Sequence, residues 1–260
     1  MEIIDSHVHI GKFDKWDCRP DELVGCMRNF GVTLGIVSDL GGIEYDNSFK
    51  PLFTSGNQIQ VNNELIDKIS MYGNIFKALF WIRPRAEAAN QELEEYLVKN
   101  KSWFVGIKVH PRYANLKFTG ENYYSYLELC RKLSLPMCVH TENDGFSNMA
   151  FLRETAEQYP GVNFVAVHMG SGTDRREALR HIKECSNLYG DTTLVSTSDV
   201  INAIQMCGDK KILFGSDAPV LGQNSYERHR DLEERLRQKY SAAVLSNLFS
   251  QNAKRIFHLL

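Results

Sequence analysis

The amino-acid sequence predicts an α/β fold, a single (β/α)8 barrel, on three observations. Eight short strand-like runs alternate with helical segments at one unit per roughly 30 residues, the spacing of a βαβ repeat. The length of 260 residues is close to the about 250 typical of such a barrel. No linker, composition shift or low-complexity tract divides the chain. Eight unbroken units therefore favour a closed barrel over a doubly wound sheet, and one domain over residues 1–260.

Taken in order, residues 2–10 read as the first strand, its later half polar at every second position. Pro20-Asp21-Glu22 opens a helix through Met27 and Phe30, stopped by Gly31. Residues 32–38 are a buried strand. The stretch 39–56 is longer than an ordinary connection and holds several glycines, which suits a binding loop or a lid. Tyr45, Phe49 and Phe53 in it can cover the mouth and exclude water.

A helix near 61–72 leads to a strand at 75–82, ended by Arg83-Pro84. Leu93 and Leu97, four apart, place a helix over 87–99. Residues 103–110 form the next strand, ended by Pro111, and an extended connection runs on to about Gly120. Then follow a helix at 123–133, a short strand at 136–140 and a helix at 148–159. A strand at 162–168, a helix at 175–185 and a weaker strand at 187–195 come next. A short helix at 199–207 precedes the last strand, 211–214, closed by Gly215-Ser216-Asp217. A charged helix at 226–240 and a helical tail at 241–260 complete the chain.

Composition excludes several classes of function. Lys+Arg 30 against Asp+Glu 32 gives a formal net charge of −2, and the pI is near 6.5. That balance offers no broad field for nucleic acid or an anionic membrane. No apolar run approaches the ~18 residues that span a bilayer, and the opening residues lack the pattern of a signal peptide. The six cysteines are scattered without a CxxC pair and read as reduced, packed thiols. The expectation is a cytoplasmic protein whose partner is a small molecule, neither nucleic acid nor membrane.

The polar residues collect at one end of the expected strands. The first strand ends at His7 and His9, the fourth at Lys108 and His110, the fifth at His140, the sixth at His168 and the eighth at Asp217. In a (β/α)8 barrel the C-terminal strand ends surround one mouth, where the active site sits. His7 and His9 share a strand face and can reach one ion. Singly, each residue also has a structural reading: a histidine bonded to a backbone carbonyl, a core histidine, a helix cap at Asp217. Jointly, imidazoles and a carboxylate form a ligand set that suits zinc and similar divalent ions. Such an ion activates water, and Asp217 can both ligate it and take the water's proton.

The motifs DSHVH (5–9), GIKVHP (106–111), CVHTE (138–142), VAVHMG (165–170), FGSDAP (214–219) and QNAKRIF (251–257) span nearly the whole chain. In that order they resemble the amidohydrolase superfamily, specifically its amidohydrolase-related branch with aminocarboxymuconate-semialdehyde decarboxylase. The resemblance implies a metal-dependent TIM barrel with metal at the strand C-termini. It implies ligands at His7, His9, His140 and Asp217, and zinc as the ion with manganese as the alternative. His168 matches a histidine that binds a second metal in binuclear members and serves as acid/base in mononuclear ones. Lys108 matches a lysine that is carboxylated and bridges two metals in dihydroorotases; its other reading is an interior lysine paired with a carboxylate. One or two ions therefore both remain open. Members are often dimers, so a homodimer is the expectation.

The leading expectation is a hydrolase that uses metal-activated water on an amide, lactone or ester carbonyl of a small carboxylate-bearing molecule. Asp217 would carry the proton, and the metal with His168 would stabilise the oxyanion. Arg83, Arg112 and His110 are candidate substrate-binding residues, with Arg85 near them and Trp81 and Tyr113 as an aromatic wall. The alternative on the same site is a non-oxidative decarboxylase or hydratase, with His168 helping to protonate the substrate. A TatD-like deoxyribonuclease is the third reading. It is disfavoured because that family has a glutamate where this chain has Lys108, and because the charge is near neutral.

Overall fold

The computed structural model describes residues 1–52 and 56–259. The chain opens with β1 (Ile4–Phe13), β2 (Trp16–Cys18), α1 (Pro20–Phe30) and β3 (Leu34–Asp39). It continues through α2 (Gln58–Ser70), β4 (Phe76–Trp81), α3 (Gln91–Lys99), β5 (Phe104–Val109) and α4 (Tyr124–Leu133). Then come β6 (Met137–Glu142), α5 (Met149–Gln158), β7 (Phe164–Ser171), α6 (Arg176–Glu184) and β8 (Leu188–Asp191). The last elements are α7 (Thr197–Cys207), β9 (Ile212–Leu213), α8 (Glu227–Lys239), α9 (Ala242–Ser246) and α10 (Asn252–Ile256). Among the described residues no helix is long and apolar enough to cross a membrane.

Among the described residues the strands form one curled, nine-stranded sheet in the order β2-β1-β3-β4-β5-β6-β7-β8-β9. Only β2 runs antiparallel to its neighbour; each strand from β1 and β3 onward pairs in parallel with the next. Parallel pairing demands a crossover, and the helices supply it. Helix α1 shows how sequence sets the ends: Pro20 sits in its first turn, and Gly31 closes it at φ 88° with its N–H on the Arg28 and Met27 carbonyls. Its Leu23, Val24, Met27 and Phe30 are buried in the same apolar cluster as Val8, Ile10 and Val37 of the sheet's outer face.

The concave face carries a second apolar layer: Ile4, Ile36, Leu79, Cys138, Val165, Val167 and Leu213, with Ala253, Ile256 and Phe257 of the tail packed on it. Side chains alternate between the two layers, so Lys108 and His140 fall on the concave side with Cys138, while Ile107, Val109 and Val139 face outward. Strand β1 breaks the alternation. Ile4 belongs to the concave layer and Val8 to the outer one, and the pairing with β3 slips between Asp5 and Val8. That bulge turns His7 and His9 to the concave side.

Beyond β9 the chain runs beside β1. The Ser6 N–H donates to Phe214 O at 2.9 Å, Asp217 N–H to His7 O at 2.9 Å and His9 N–H to Ala218 O at 2.8 Å, with a parallel bridge Val8–Ala218. Asp5 fastens this seam. Its carboxyl accepts from the His7 and Ser216 N–H groups, the Ser216 hydroxyl and, at 2.7 Å, the Tyr226 hydroxyl. Burial pushes Asp5 up to about 7 against the pull of those donors.

The tail motif clamps the turn that enters β9. Asn252 Nδ2 donates to Asp209 O at 2.6 Å and Ile212 O at 2.7 Å, and Arg255 donates to Lys210 O at 2.6 Å and to Asn252 Oδ1 at 3.0 Å. Asn252→Ala is expected to cost about 2–4 kcal/mol, because a buried carbonyl at Ile212 and a part-buried one at Asp209 lose their donor. Urea unfolding measures it; a loss below about 0.5 kcal/mol would show that water replaces the amide.

The eight strand positions of the sequence reading match β1 and β3 to β9; β2 was not expected. It forms a hairpin with β1 around Asp14, at φ 51°. The 39–56 stretch holds a 3-10 turn, Leu40–Gly42, and a loop bridged between Tyr45 and Pro51. Phe53 lies outside the described residues.

Candidate active site

The histidines and acids meet where the strands end. His7 Nε2 is 3.0 Å from His9 Nε2, and Asp217 Oδ1 is 3.4 Å from the first and 3.1 Å from the second. All three side chains are buried, and their ligand atoms lie within 4.8 Å of one another.

The outer ring nitrogens are held from behind. His7 Nδ1 faces Asp191 Oδ2 at 3.1 Å and Thr193 Oγ1 at 3.2 Å. A carboxylate only accepts, so the His7 proton sits on Nδ1 and Nε2 keeps its lone pair. His9 Nδ1 pairs with the Ser38 hydroxyl at 3.0 Å, which can donate or accept, so His9 can also present a lone pair. Burial, followed by the Lys108 charge, drives His7 well below its usual range, so it is a neutral ring. This donor set fits a divalent ion: nitrogen and carboxylate acceptors converge, each ring oriented by a partner behind it.

Asp191, at the end of β8, was not singled out in the sequence. Its Oδ1 also accepts the His168 N–H at 2.9 Å and the Thr193 N–H at 3.2 Å. The signal was present as a polar run, Gly190-Asp191-Thr192-Thr193, at the end of a strand. Gly215 lets the strands come together here, because a Cβ on it would lie 2.6 Å from Thr193 Oγ1 and 3.2 Å from Asp191 Oδ2.

His168 needs a special backbone. Val165 and Val167 face the concave layer, so plain alternation would turn His168 outward. Instead His168 and Met169 adopt φ 69° and 48°, and the imidazole lines the cavity. Its Nδ1 donates to Thr193 O at 3.2 Å, which fixes Nε2 as an acceptor in the neutral ring. Burial, then His140, pushes it down to about 4. Asp217 likewise sits at φ 69°; such strain gathers where function holds it in place. Burial would raise the Asp217 carboxyl, but the imidazoles of His9, His7 and His168 gathered round it hold it well below the usual carboxylate range.

His140 lies part-buried in the same wall and is lowered to about 3, by desolvation first and Lys108 second. Among the described residues its Nε2 has no hydrogen-bond partner, with Glu142 Oε2 3.5 Å away. Its ring stacks on His110 at 3.6 Å and meets His168 edge-on at 4.6 Å. Lys108 Nζ lies 3.2 Å from His7 Nε2, and burial lowers its pKa.

Above these groups is a cavity of about 380 Å³. Leu40, Ile43, Trp16, Trp81, Tyr113 and Val220 wall it, and Lys15 and Glu142 add charge. Of the substrate-binding candidates, His110 lines the cavity; Arg83 and Arg112 do not. The Arg83 guanidinium donates to Gly56 O at 2.6 Å, and Arg112 lies over the Phe49 ring. Lys15, on the unexpected β1–β2 hairpin, is the cation that sequence reasoning missed.

A family model described as amidohydrolase matches residues 4–259. The chain belongs to the amidohydrolase family. No curated protein matches it. Among solved structures it resembles a 5-carboxyvanillate decarboxylase from Novosphingobium aromaticivorans with bound manganese and 3-methoxy-4-hydroxy-5-nitrobenzoic acid (13% identity, 99% of this chain and 97% of that one, TM-score 0.72). It also resembles an amidohydrolase from Burkholderia multivorans with bound zinc (15% identity, 100% of both chains, TM-score 0.71). A third is a candidate 2-pyrone-4,6-dicarboxylic acid hydrolase from Pseudomonas putida (15% identity, 99% of this chain and 97% of that one, TM-score 0.69). Identities this low establish the shared amidohydrolase fold; the neighbours include both a decarboxylase and a hydrolase.

Proposed function

We propose that this amidohydrolase is a metal-dependent hydrolase acting on the amide, lactone or ester carbonyl of a small carboxylate-bearing molecule. Its scaffold is a single-domain (β/α)8 barrel, closed along the seam between β1 and residues 214–218. The observation that carries the reading is the convergence of His7 Nε2, His9 Nε2 and Asp217 Oδ1, with their partners behind them. These residues would hold one divalent ion, zinc or manganese, with His140 as the further ligand. The ion supplies Lewis acidity and lowers the pKa of water at the site.

The chain's own groups do the rest. Asp217, held well below the usual carboxylate range, accepts the proton of the attacking water, then returns it to the leaving group. His168 enters turnover as a neutral ring with an accepting Nε2. Its Nε2 therefore accepts a hydrogen bond from the bound water or substrate, in place of the oxyanion-donating role expected from the sequence. Leu40, Ile43, Trp81 and Tyr113 keep bulk water from the reacting carbonyl. With Arg83 and Arg112 turned elsewhere, the substrate's carboxylate meets a lysine, Lys15 or Lys108.

Decarboxylation is the second reading, favoured by the aromatic walls Trp16, Trp81 and Tyr113, which suit the flat acids that the decarboxylase neighbours act on. Metal content separates the site models first. Protein purified without chelators or a histidine tag is expected to hold about one ion per chain by plasma mass spectrometry. About two would assign His168 and Lys108 to a second ion. No ion after incubation with zinc, manganese and bicarbonate would overturn the metal reading. A screen of lactones, esters, amides and aromatic carboxylic acids with CO2 detection then decides between hydrolysis and decarboxylation.

A further inference from the structure

His7 offers the centre a single lone pair, because its ring proton is committed to Asp191 on the Nδ1 side. Lys108 Nζ is 3.2 Å from that same Nε2. The lysine is buried at 1% exposure, with the face of Trp81 5.8 Å away. Among the described residues, His7 is its one hydrogen-bond partner, so the interior lysine paired with a carboxylate is not what the fold builds. A lone pair serves one N–H or one ion. An ion held by His7, His9 and Asp217 therefore needs the Lys108 nitrogen to leave, and two cations so close in a dry site repel.

We propose that Lys108 is a resident cation that competes with the metal for His7 Nε2 and so sets how tightly the centre holds any ion. The side chain is long and unbranched and already lines the cavity. It can swing into that space while an ion takes its place. There it presents an ammonium beside the ion, on a wall that neither Arg83 nor Arg112 reaches. Competition of this kind weakens every ion by the same factor, so loosely held ions stay out while strong nitrogen binders enter. The inference rests on the metal reading above.

The test is a titration of full-length wild type, Lys108→Met and Lys108→Gln, each stripped of metal and checked for folding by circular dichroism. Zinc and manganese are each titrated in competition with a chromophoric chelator. Lys108→Met is expected to bind both ions about tenfold or more tighter than wild type, by a similar factor for each. Lys108→Gln shifts the same way, because a neutral amide is a weaker rival than an ammonium, and it carries the test if the methionine variant does not fold. Weaker binding by the variants would make Lys108 a ligand and overturn the proposal; an added CO2 mass on the wild-type lysine would then show the carboxylated form. Unchanged affinities would overturn it while leaving the metal centre in place. Absence of binding by wild type and variants alike would remove the metal reading itself.

Discussion

Asp217→Asn is expected to lower turnover by about 10³-fold or more, since a positioned general base contributes on that order, while the melting temperature stays close to wild type. The asparagine keeps the shape and leaves an oxygen facing His7 and His9, 3.4 and 3.1 Å away in the native carboxylate. It cannot hold a proton. The backbone also tolerates the exchange: residue 217 sits at φ 69°, a region that asparagine and aspartate enter more readily than other side chains. Alanine there would add strain and blur the result, which makes asparagine the sharper probe. Turnover and metal content are measured on the same preparation, so that loss of the base is distinguished from loss of the ion. Full turnover with the ion retained would remove Asp217 as proton acceptor and move that role to His168.

The same residue marks how far the sequence carries. Parallel strands buried on both faces announce themselves as short apolar runs, so the positions of β1 and β3 to β9 were legible. Polar residues at the ends of those runs were legible too, because a lysine, histidines and an aspartate that each have a separate structural reading point to one site when they occur together. Side-chain direction beyond a regular strand was not. Arg83 lies past the end of β4 at Trp81, where alternation no longer applies, and its guanidinium turned to Gly56 O. His7 and His168 reach the site only through a bulge and a left-handed backbone, neither of which leaves a residue-level mark. The β1–β2 hairpin turns at Asp14-Lys15, without the Asn-Gly or Asp-Gly pair that identifies a tight turn. Lys15 went unnoticed with it.

Asp191→Asn is expected to weaken metal binding by about 10- to 100-fold, the usual effect of removing a partner behind a ligating histidine. The mechanism is a tautomer change with the shape kept. Asp191 accepts from the His168 and Thr193 N–H groups on Oδ1 and faces His7 Nδ1 with Oδ2. An asparagine that keeps its oxygen on the two N–H groups must turn its NH2 towards His7 Nδ1. That nitrogen then has to be the acceptor, and the ring proton moves to Nε2, where the ion would bind. Flipping the amide sets NH2 against two backbone N–H groups and is worse. Stability is expected to move the other way. Burial raises the Asp191 pKa despite the neighbouring His168, its backbone N–H and the Lys108 charge that oppose it, so a neutral amide removes the cost of a buried carboxylate. Weaker metal binding with equal or greater resistance to urea would therefore exclude unfolding as the cause. Thr193→Val, which removes only the hydroxyl 3.2 Å from the same nitrogen, should have the smaller effect on affinity. Equal metal affinity in Asp191→Asn and wild type would mean that Asp191 does not set the His7 tautomer, and the lone pair at the centre would need another source.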